Sequence, residues 1–252
     1  MSKIIIKNIT LGEGRPKICV PLTDIDAAGL KCSLSAMHDK PFDLVEWRAD
    51  KFATLCDEPS LIGASQLIHT AFPDKPLIFT IRTNRDMEDF EISDEDYIKL
   101  VMFGAEHTLG DIIDIEFSRG AELVSKLIDD IRALNNDIKV IVSKHLRNST
   151  PCESDIFDTL TAMQATGSDI VKYAAMPQST DDVKALLDAT YSYARKPDSV
   201  PVITMSMGKL GVISRISGSL TGSCLTFGTA GAASAPGQID CEELSHLLDI
   251  LA

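Results

Sequence analysis

IIDIEFSRGAELVSKLIDDIRALNNDIKVIVSKH, residues 112–145, reads as one strand–helix–strand unit. Ile112 to Phe117 and Lys139 to Lys144 are short runs rich in β-branched residues. Between them Val124, Leu127, Ile128 and Ile131 recur at the spacing that lays one apolar stripe along a helix. The same alternation extends in both directions. Upstream lie strand candidates at Lys17 to Leu22, Asp43 to Arg48 and Leu77 to Arg82; downstream lie Asp169 to Ala174, Val200 to Ser206 and Ser223 to Gly228. A capping box, Ser179 to Asp182, precedes the stripe Val183, Leu186, Leu187 and Thr190, and a second, Ser93 to Asp96, opens the stretch Tyr97 to Ala105. Asp240 is a candidate N-cap for a last helix carrying Leu244, Leu247, Leu248 and Leu251. Eight strand–helix units in succession predict an α/β protein of the (β/α)8 TIM-barrel class. An open doubly wound sheet usually has fewer strands, and its G-x-G-x-x-G turn is missing after the first strand. Met1 to Pro16, Ile-rich and then Leu11-Gly-Glu-Gly14, reads as an N-terminal β-hairpin closing the bottom of the barrel. No linker, repeat or low-complexity stretch divides the chain, so residues 1–252 are read as one domain.

Composition narrows the function. The 252 residues are 44% hydrophobic and 24% charged, with 24 Lys plus Arg against 37 Asp plus Glu and a net charge of −13. That field repels phosphate backbones and anionic membrane surfaces, so neither nucleic acid nor membrane is an expected partner. A small anion fits only where a few cations are focused at one place. The six cysteines are scattered with no C-x-x-C, which excludes a zinc ribbon and argues against a disulfide framework. The N-terminal apolar run is too short for a signal peptide and no 18-residue apolar span exists, so a cytoplasmic location is expected and the sequons at Asn8 and Asn148 are chance matches.

Alternate residues of a barrel strand face the packed interior. On that parity Leu44, Glu46 and Arg48 go together, as do Ile78, Thr80 and Arg82; Ile112, Asp114 and Glu116; Ile141, Ser143 and His145; and Ile170, Lys172 and Ala174. In each set the apolar member comes first and the polar members later, so the charges crowd the C-terminal mouth, where barrel enzymes carry their chemistry. Lys172 has no packing reason to sit in Asp169-Ile-Val-Lys-Tyr-Ala174. Desolvation and nearby arginines would favour its neutral, nucleophilic form, able to condense with a ketone. The alternative is a structural ion pair with Asp114 or Glu116. His145 is the only one of five histidines at a strand's C-terminal end and suits general acid–base work. Two glycine-rich loops, Met207 to Gly211 leading to Ser214-Arg215 and Gly228 to Gln238, are placed to hold an anion; Arg215, Ser234 and Gln238 could hold a carboxylate. There is no H-E-x-x-H, no P-loop and no G-x-S-x-G, so no cofactor or metal is implied.

With these residues in hand, the chain resembles the type I 3-dehydroquinate dehydratases. The likeness is carried by Glu46-Trp-Arg-Ala-Asp50, Phe79-Thr-Ile-Arg-Thr83, Ile113-Asp-Ile-Glu116, Ser143-Lys-His145, Asp169 to Ala174, Met205-Ser-Met-Gly208 through Arg215, Gly222 to Gly228 and Ala235-Pro-Gly-Gln-Ile239. It implies a cofactor-free (β/α)8 enzyme of the shikimate pathway of aromatic amino-acid biosynthesis, commonly a homodimer, that dehydrates 3-dehydroquinate to 3-dehydroshikimate. Lys172 would be the Schiff-base lysine and His145 the general acid and base. Arg215, Ser234 and Gln238 would hold the substrate carboxylate, while Glu46, Arg48 and Arg82 orient the ring hydroxyls. Where the family generally has a glutamate and two glycines after the second arginine, this chain has Asp86-Met87-Glu88. Asp86 is the candidate to support His145, with Glu88 as the alternative. Leu146-Arg147 and Pro21 also depart from the family pattern. Two other readings compete: a class I aldolase, sharing the lysine but cleaving a C–C bond, and a non-catalytic barrel that binds a cyclic polyol acid.

Overall fold

A computed structural model of the chain describes residues 2–231 and 237–251. The N-terminal hairpin forms as expected: β1 (Ile4–Ile6) and β2 (Ile9–Leu11) pair antiparallel, Ile4 with Leu11 and Ile6 with Ile9. The alternating units follow. They are β3 (Lys17–Leu22), α1 (Ala27–Met37), β4 (Leu44–Arg48), α2 (Glu58–Ala71), β5 (Leu77–Thr80), α3 (Asp94–Glu106), β6 (Ile112–Glu116) and α4 (Ala121–Leu134). The second half comprises β7 (Lys139–Leu146), α5 (Glu153–Ala165), β8 (Ile170–Ala175), α6 (Thr180–Ala194), β9 (Val202–Ser206), a short α7 (Gly218–Thr221), β10 (Leu225–Thr229), a two-residue β11 (Ile239–Asp240) and α8 (Cys241–Ile250).

Every neighbouring pair from β3 to β10 is parallel, in the order β11-β10-β3-β4-β5-β6-β7-β8-β9. The curled sheet meets itself through a parallel bridge, Val202 with Ser223, where the Cys224 amide donates to the Val202 carbonyl at 2.8 Å. All eight strands anticipated from periodicity are present, with ends moved by at most two residues.

Side-chain parity sorts the apolar residues into two cores. Cys19, Leu44, Ile78, Ile112, Ile141, Ile170, Ile203 and Leu225 fill the interior, and Ile6 and Leu11 of the hairpin join them. The hairpin therefore plugs the N-terminal end; Lys7 at its turn anchors it, with Nζ 3.0 Å from both the Lys75 carbonyl and Asp111 Oδ2. The opposite parity (Val45, Trp47, Phe79, Ile113, Ile115, Val140, Val142) packs under the helices. The stripe Val124, Leu127, Ile128 and Ile131 of α4 is buried there as its spacing requires. Helix starts follow local chemistry. Ser179 and Asp182 make the full reciprocal box at α6, whereas at α3 Ser93 caps the Asp96 amide and receives no backbone-directed bond in return, since Asp96 meets the Ser93 hydroxyl instead. Gly120 enters α4 at φ +99°, a conformation open to glycine. Among the described residues no helix is long and apolar enough to cross a membrane.

Candidate active site

Above the interior isoleucines the strands turn polar. Lys172 of β8, 3% exposed, points its Nζ between two carboxylates, at 3.0 Å from Glu46 Oε1 and 3.2 Å from Asp114 Oδ2, and lies 4.5 Å above the Phe227 ring. Of the two environments weighed for this lysine, carboxylate pairing is the one present. Its partners are Glu46 and Asp114; Glu116 is instead taken up by Thr83 and Arg119. Asp114 Oδ2 is also 2.8 Å from Arg82 Nη2, while Ser143 donates to Asp114 Oδ1 at 2.5 Å and receives a bond from Arg82 Nη1 at 2.9 Å. Burial by itself would raise the Asp114 carboxyl, but Arg82 and Lys172 outweigh it and hold it far below the usual carboxylate range. Glu46 follows the same pattern: the burial penalty is overcome by Lys172 and Arg48, and its carboxyl is lowered.

His145, near the end of β7, is fixed from behind by Asp86. A single oxygen, Asp86 Oδ2, accepts the His145 backbone amide at 2.9 Å and lies 3.1 Å from Nδ1. A carboxylate can only accept, so Nδ1 carries the proton and Nε2 is the free base. Burial first, then Arg82 and Lys172, push the imidazole well below its ordinary value of 6.5, so it is neutral at pH 7. Asp86 itself is raised by burial against the pull of Arg82, and Ser118 donates to its other oxygen at 2.5 Å.

The loop after β5 delivers this carboxylate. Thr83 is gripped by Glu116, which accepts its amide at 2.7 Å and its hydroxyl at 2.6 Å, and by Arg119 Nη2 at 3.0 Å. A 3₁₀ turn follows at Asn84–Asp86, and Met87 ends it in the left-handed region at φ +83°. Glu88, the alternative support for His145, faces the other way: it pairs with Arg48 at 2.7 Å and Lys51 at 2.5 Å. Arg48 is further held by a two-bond fork to Asp50, at 2.8 and 2.7 Å.

Arg215 rides on the 3₁₀ turn Val212–Arg215 after β9. Ser214 builds that turn by accepting the Ser206 amide at 2.9 Å and donating to the Gly211 carbonyl at 2.7 Å. A Cβ on Gly211 would come within 2.2 Å of the Ser206 carbonyl oxygen, so the turn requires glycine. Arg215 Nη1 donates to the Phe227 carbonyl at 3.2 Å, and burial pushes its guanidinium down to about 10.

One cavity of about 370 Å³ takes in Glu46, Arg48, Arg82, Asp86, His145, Lys172, Arg215 and Gln238 together. Of the residues given catalytic or substrate-binding roles from sequence, Ser234 lies outside the described residues and all the others line this cavity; Asp114 and Glu116, placed at the mouth by parity, are not among its lining residues. Four methionines (87, 176, 205 and 207) and Phe227 complete the walls, along with Glu88 and Arg147. Sequence reasoning missed these methionines, as apolar residues in and around loops carry no periodic signal. It also missed Asp50, Ser118 and Ser143 as supports. Asp114 was named among the possible partners of Lys172; Glu46 shares the parity of the mouth and could have been named beside it. An arrangement with an inward amine, a neutral imidazole and clustered guanidiniums suits carbonyl chemistry on a small anionic substrate.

The type I 3-dehydroquinase family model matches residues 18–252. The 3-dehydroquinate dehydratase of Listeria monocytogenes serotype 4b (strain CLIP80459) is 42% identical over 251 residues, spanning 100% of this chain and 98% of its own length. The enzyme of the same name from Escherichia coli O157:H7 is 40% identical over 251 residues, spanning 100% and 99%. Among solved structures, the type I 3-dehydroquinate dehydratase from Clostridium difficile, solved with covalently modified comenic acid, superposes with a TM-score of 0.94 at 37% identity, covering 99% of this chain and 98% of its own. The 3-dehydroquinate dehydratase from Geobacillus kaustophilus gives a TM-score of 0.92 at 31% identity, covering 99% and 96%.

Proposed function

The chain belongs to the type I 3-dehydroquinase family, and from that premise we propose how its cavity removes water from 3-dehydroquinate. The Lys172 amine attacks the C3 ketone; the carbinolamine loses water and leaves an iminium on Nζ. The iminium draws electrons from C2, and His145 Nε2 takes the C2 proton to give an enamine. Collapse of the enamine expels the C1 hydroxyl, protonated by the same imidazole, so hydrogen and hydroxyl leave from one face. Water then hydrolyses the conjugated iminium, releasing 3-dehydroshikimate and the free lysine. Glu46 and Asp114 keep their charges and so position the amine rather than accept its proton, which leaves the neutral His145 as the base for imine formation as well. Arg215, Gln238 and Ser234 are assigned to the substrate carboxylate, and Glu46, Arg48 and Arg82 to the ring hydroxyls.

The observation that carries this reading is that Lys172 and His145 open on one cavity, with Asp86 behind the imidazole and Arg215 in the same wall. The covalent modification named for the Clostridium difficile relative is in keeping with a reactive nucleophile in such a site. Borohydride reduction during turnover of 3-dehydroquinate, read by peptide mass spectrometry, tests it. An adduct on the Lys172 peptide, absent in Lys172→Ala, is expected; His145→Ala should still trap substrate while turnover collapses. An adduct elsewhere, or near-wild-type turnover in both variants, overturns the mechanism.

Residues 1–252 form one catalytic unit in this proposal, acting in the cytoplasm, where the six cysteines stay free as they are here. A homodimer is part of it too. Tyr191, Leu210, Ile213 and Leu220 are exposed apolar side chains lining one groove beside α6, edged by the oppositely charged pair Lys184 and Asp188, a face that can meet its own copy. Analytical ultracentrifugation of the protein and of Leu220→Glu checks it: a dimer that the substitution splits is expected.

A further inference from the structure

Asp86 and Glu88 are separated by one residue and serve opposite sides of the cavity. Asp86 accepts from His145, on β7; Glu88 pairs with Arg48, on β4, and with Lys51 just beyond that strand. What parts them is Met87, whose φ of +83° turns the backbone sharply between the two carboxylates. A methionine resists that conformation because of its Cβ, and relaxation would rotate the turn. An aspartate carboxylate sits only two bonds from its Cα, so any rotation of the turn moves it off His145. On the upstream side the turn is fastened at Thr83 by Glu116 and Arg119, and Glu88's own amide closes back on the Thr83 carbonyl at 3.1 Å. On the downstream side the close ionic fastening is Glu88, with both oxygens engaged, at 2.7 Å to Arg48 and 2.5 Å to Lys51, whereas the fully exposed Asp89 stands 3.9 Å from Arg147.

We propose that Glu88 is a positioning residue for the reaction: its pairing with Arg48 and Lys51 holds the strained turn at Met87, and through it keeps Asp86 on His145. The inference rests on the dehydratase reading above. Glu88 also couples the two halves of the site, since the same carboxylate that steadies the base steadies Arg48, assigned to the substrate hydroxyls. Cutting the tether lowers kcat through His145, whereas a direct substrate ligand would act on KM.

A double-substitution cycle in the full-length protein tests this. Glu88→Gln keeps the shape and removes the charge, and its kcat on 3-dehydroquinate is expected to fall about tenfold, in the range seen when a partner supporting a functional side chain is lost. In an Asp86→Asn background the same change should cost less than about twofold in kcat, because the group it positions is already gone. A second readout does not need turnover: the 15N shifts of the His145 ring, which report the Nδ1–H tautomer, should move toward a tautomer mixture in Glu88→Gln. A raised KM with kcat and ring shifts unchanged overturns the proposal in favour of direct substrate contact, and equal kcat losses in both backgrounds overturn it in favour of a general structural role. If wild-type protein does not turn over 3-dehydroquinate, the functional reading fails, while the ring shifts still decide whether Glu88 positions His145.

Discussion

The backbone amide and the ring Nδ1 of His145 both end on one oxygen of Asp86, at 2.9 and 3.1 Å. Two bonds to one atom fix the ring's rotation as well as its tautomer, which leaves Nε2 aimed at the cavity as a base. Replacing the carboxylate by an amide of the same shape, Asp86→Asn, allows the wrong tautomer to form. Activity should drop by roughly 10² to 10⁴, the cost seen for such changes behind a catalytic histidine. Steady-state kcat on 3-dehydroquinate measures it, and a loss under about threefold would show that Asp86 is not what orients the ring.

The imidazole has to be unprotonated to take a proton. Burial, Arg82 and Lys172 depress its pKa well below 6.5, so the base form persists into mildly acidic solution. The acid limb of kcat/KM should therefore lie below pH 6.5, with most of the activity kept at pH 6. A limb centred at or above 6.5 would contradict the electrostatics drawn here.

Asp114 is 1% exposed and stands between two cations, Arg82 and Lys172. Taking its charge away leaves Lys172 with Glu46 alone and removes the shortest ion pair of Arg82, both in a buried site. Asp114→Asn should destabilise the fold by about 3 to 5 kcal/mol, the usual cost of breaking a buried pair from one side. Urea unfolding followed by circular dichroism would show it as a lower midpoint with an unchanged slope. A change below about 1 kcal/mol would mean that water or neighbouring groups already compensate these charges.

Much of this site was legible because a barrel strand has period two. Leu44-Glu46-Arg48 and Ile170-Lys172-Ala174 each place an apolar residue in the interior core and a charge above it, and neighbouring strands repeat the pattern. The partners of Lys172 were harder to name. Parity offers Glu46, Asp114 and Glu116 alike, and the register between strands, invisible in one sequence, decides for the first two. The choice between Asp86 and Glu88 was out of reach for a different reason. It depends on a positive φ at Met87, a residue type that gives no sign of a left-handed turn. Ser118 likewise enters only through the 3₁₀ turn that follows β6.

Depressed and raised pKa values in one site make the acid sensitivity of the fold a signed prediction. His145 titrates below its unfolded value, so the unfolded chain binds more protons as pH falls below about 6.5, and stability present above that pH is lost on acidification. Glu46 and Asp114 act in the same direction but only below about pH 4.3, where unfolded carboxylates begin to protonate. Asp86 and Glu116 are raised and act oppositely, taking up protons in the folded state first and offsetting part of the loss. His145→Gln removes the histidine contribution, so its stability should fall less steeply between pH 6.5 and 5, by up to about 1.4 kcal/mol per pH unit. Urea unfolding at pH 7, 6 and 5 for both proteins checks this; parallel curves would refute it.

The hairpin's part in the fold is open to a test that leaves the chemistry alone. Leu11 is 1% exposed and packs into the interior core with Ile78, Ile112, Ile141 and Ile170, at the end of the barrel away from Lys172 and His145. If β1 and β2 close the barrel, Leu11→Ala opens a cavity beneath that layer and should cost about 2 to 5 kcal/mol. Ile5, 69% exposed on the same hairpin, is the control: Ile5→Ala should change stability by less than about 0.5 kcal/mol. Because the isoleucine layer separates the plug from the polar mouth, kcat of the folded Leu11→Ala protein should stay within about twofold of wild type. A small stability loss would make the hairpin an ornament on the barrel, whereas a large fall in kcat at full folding would show that the interior layer transmits strain to Lys172.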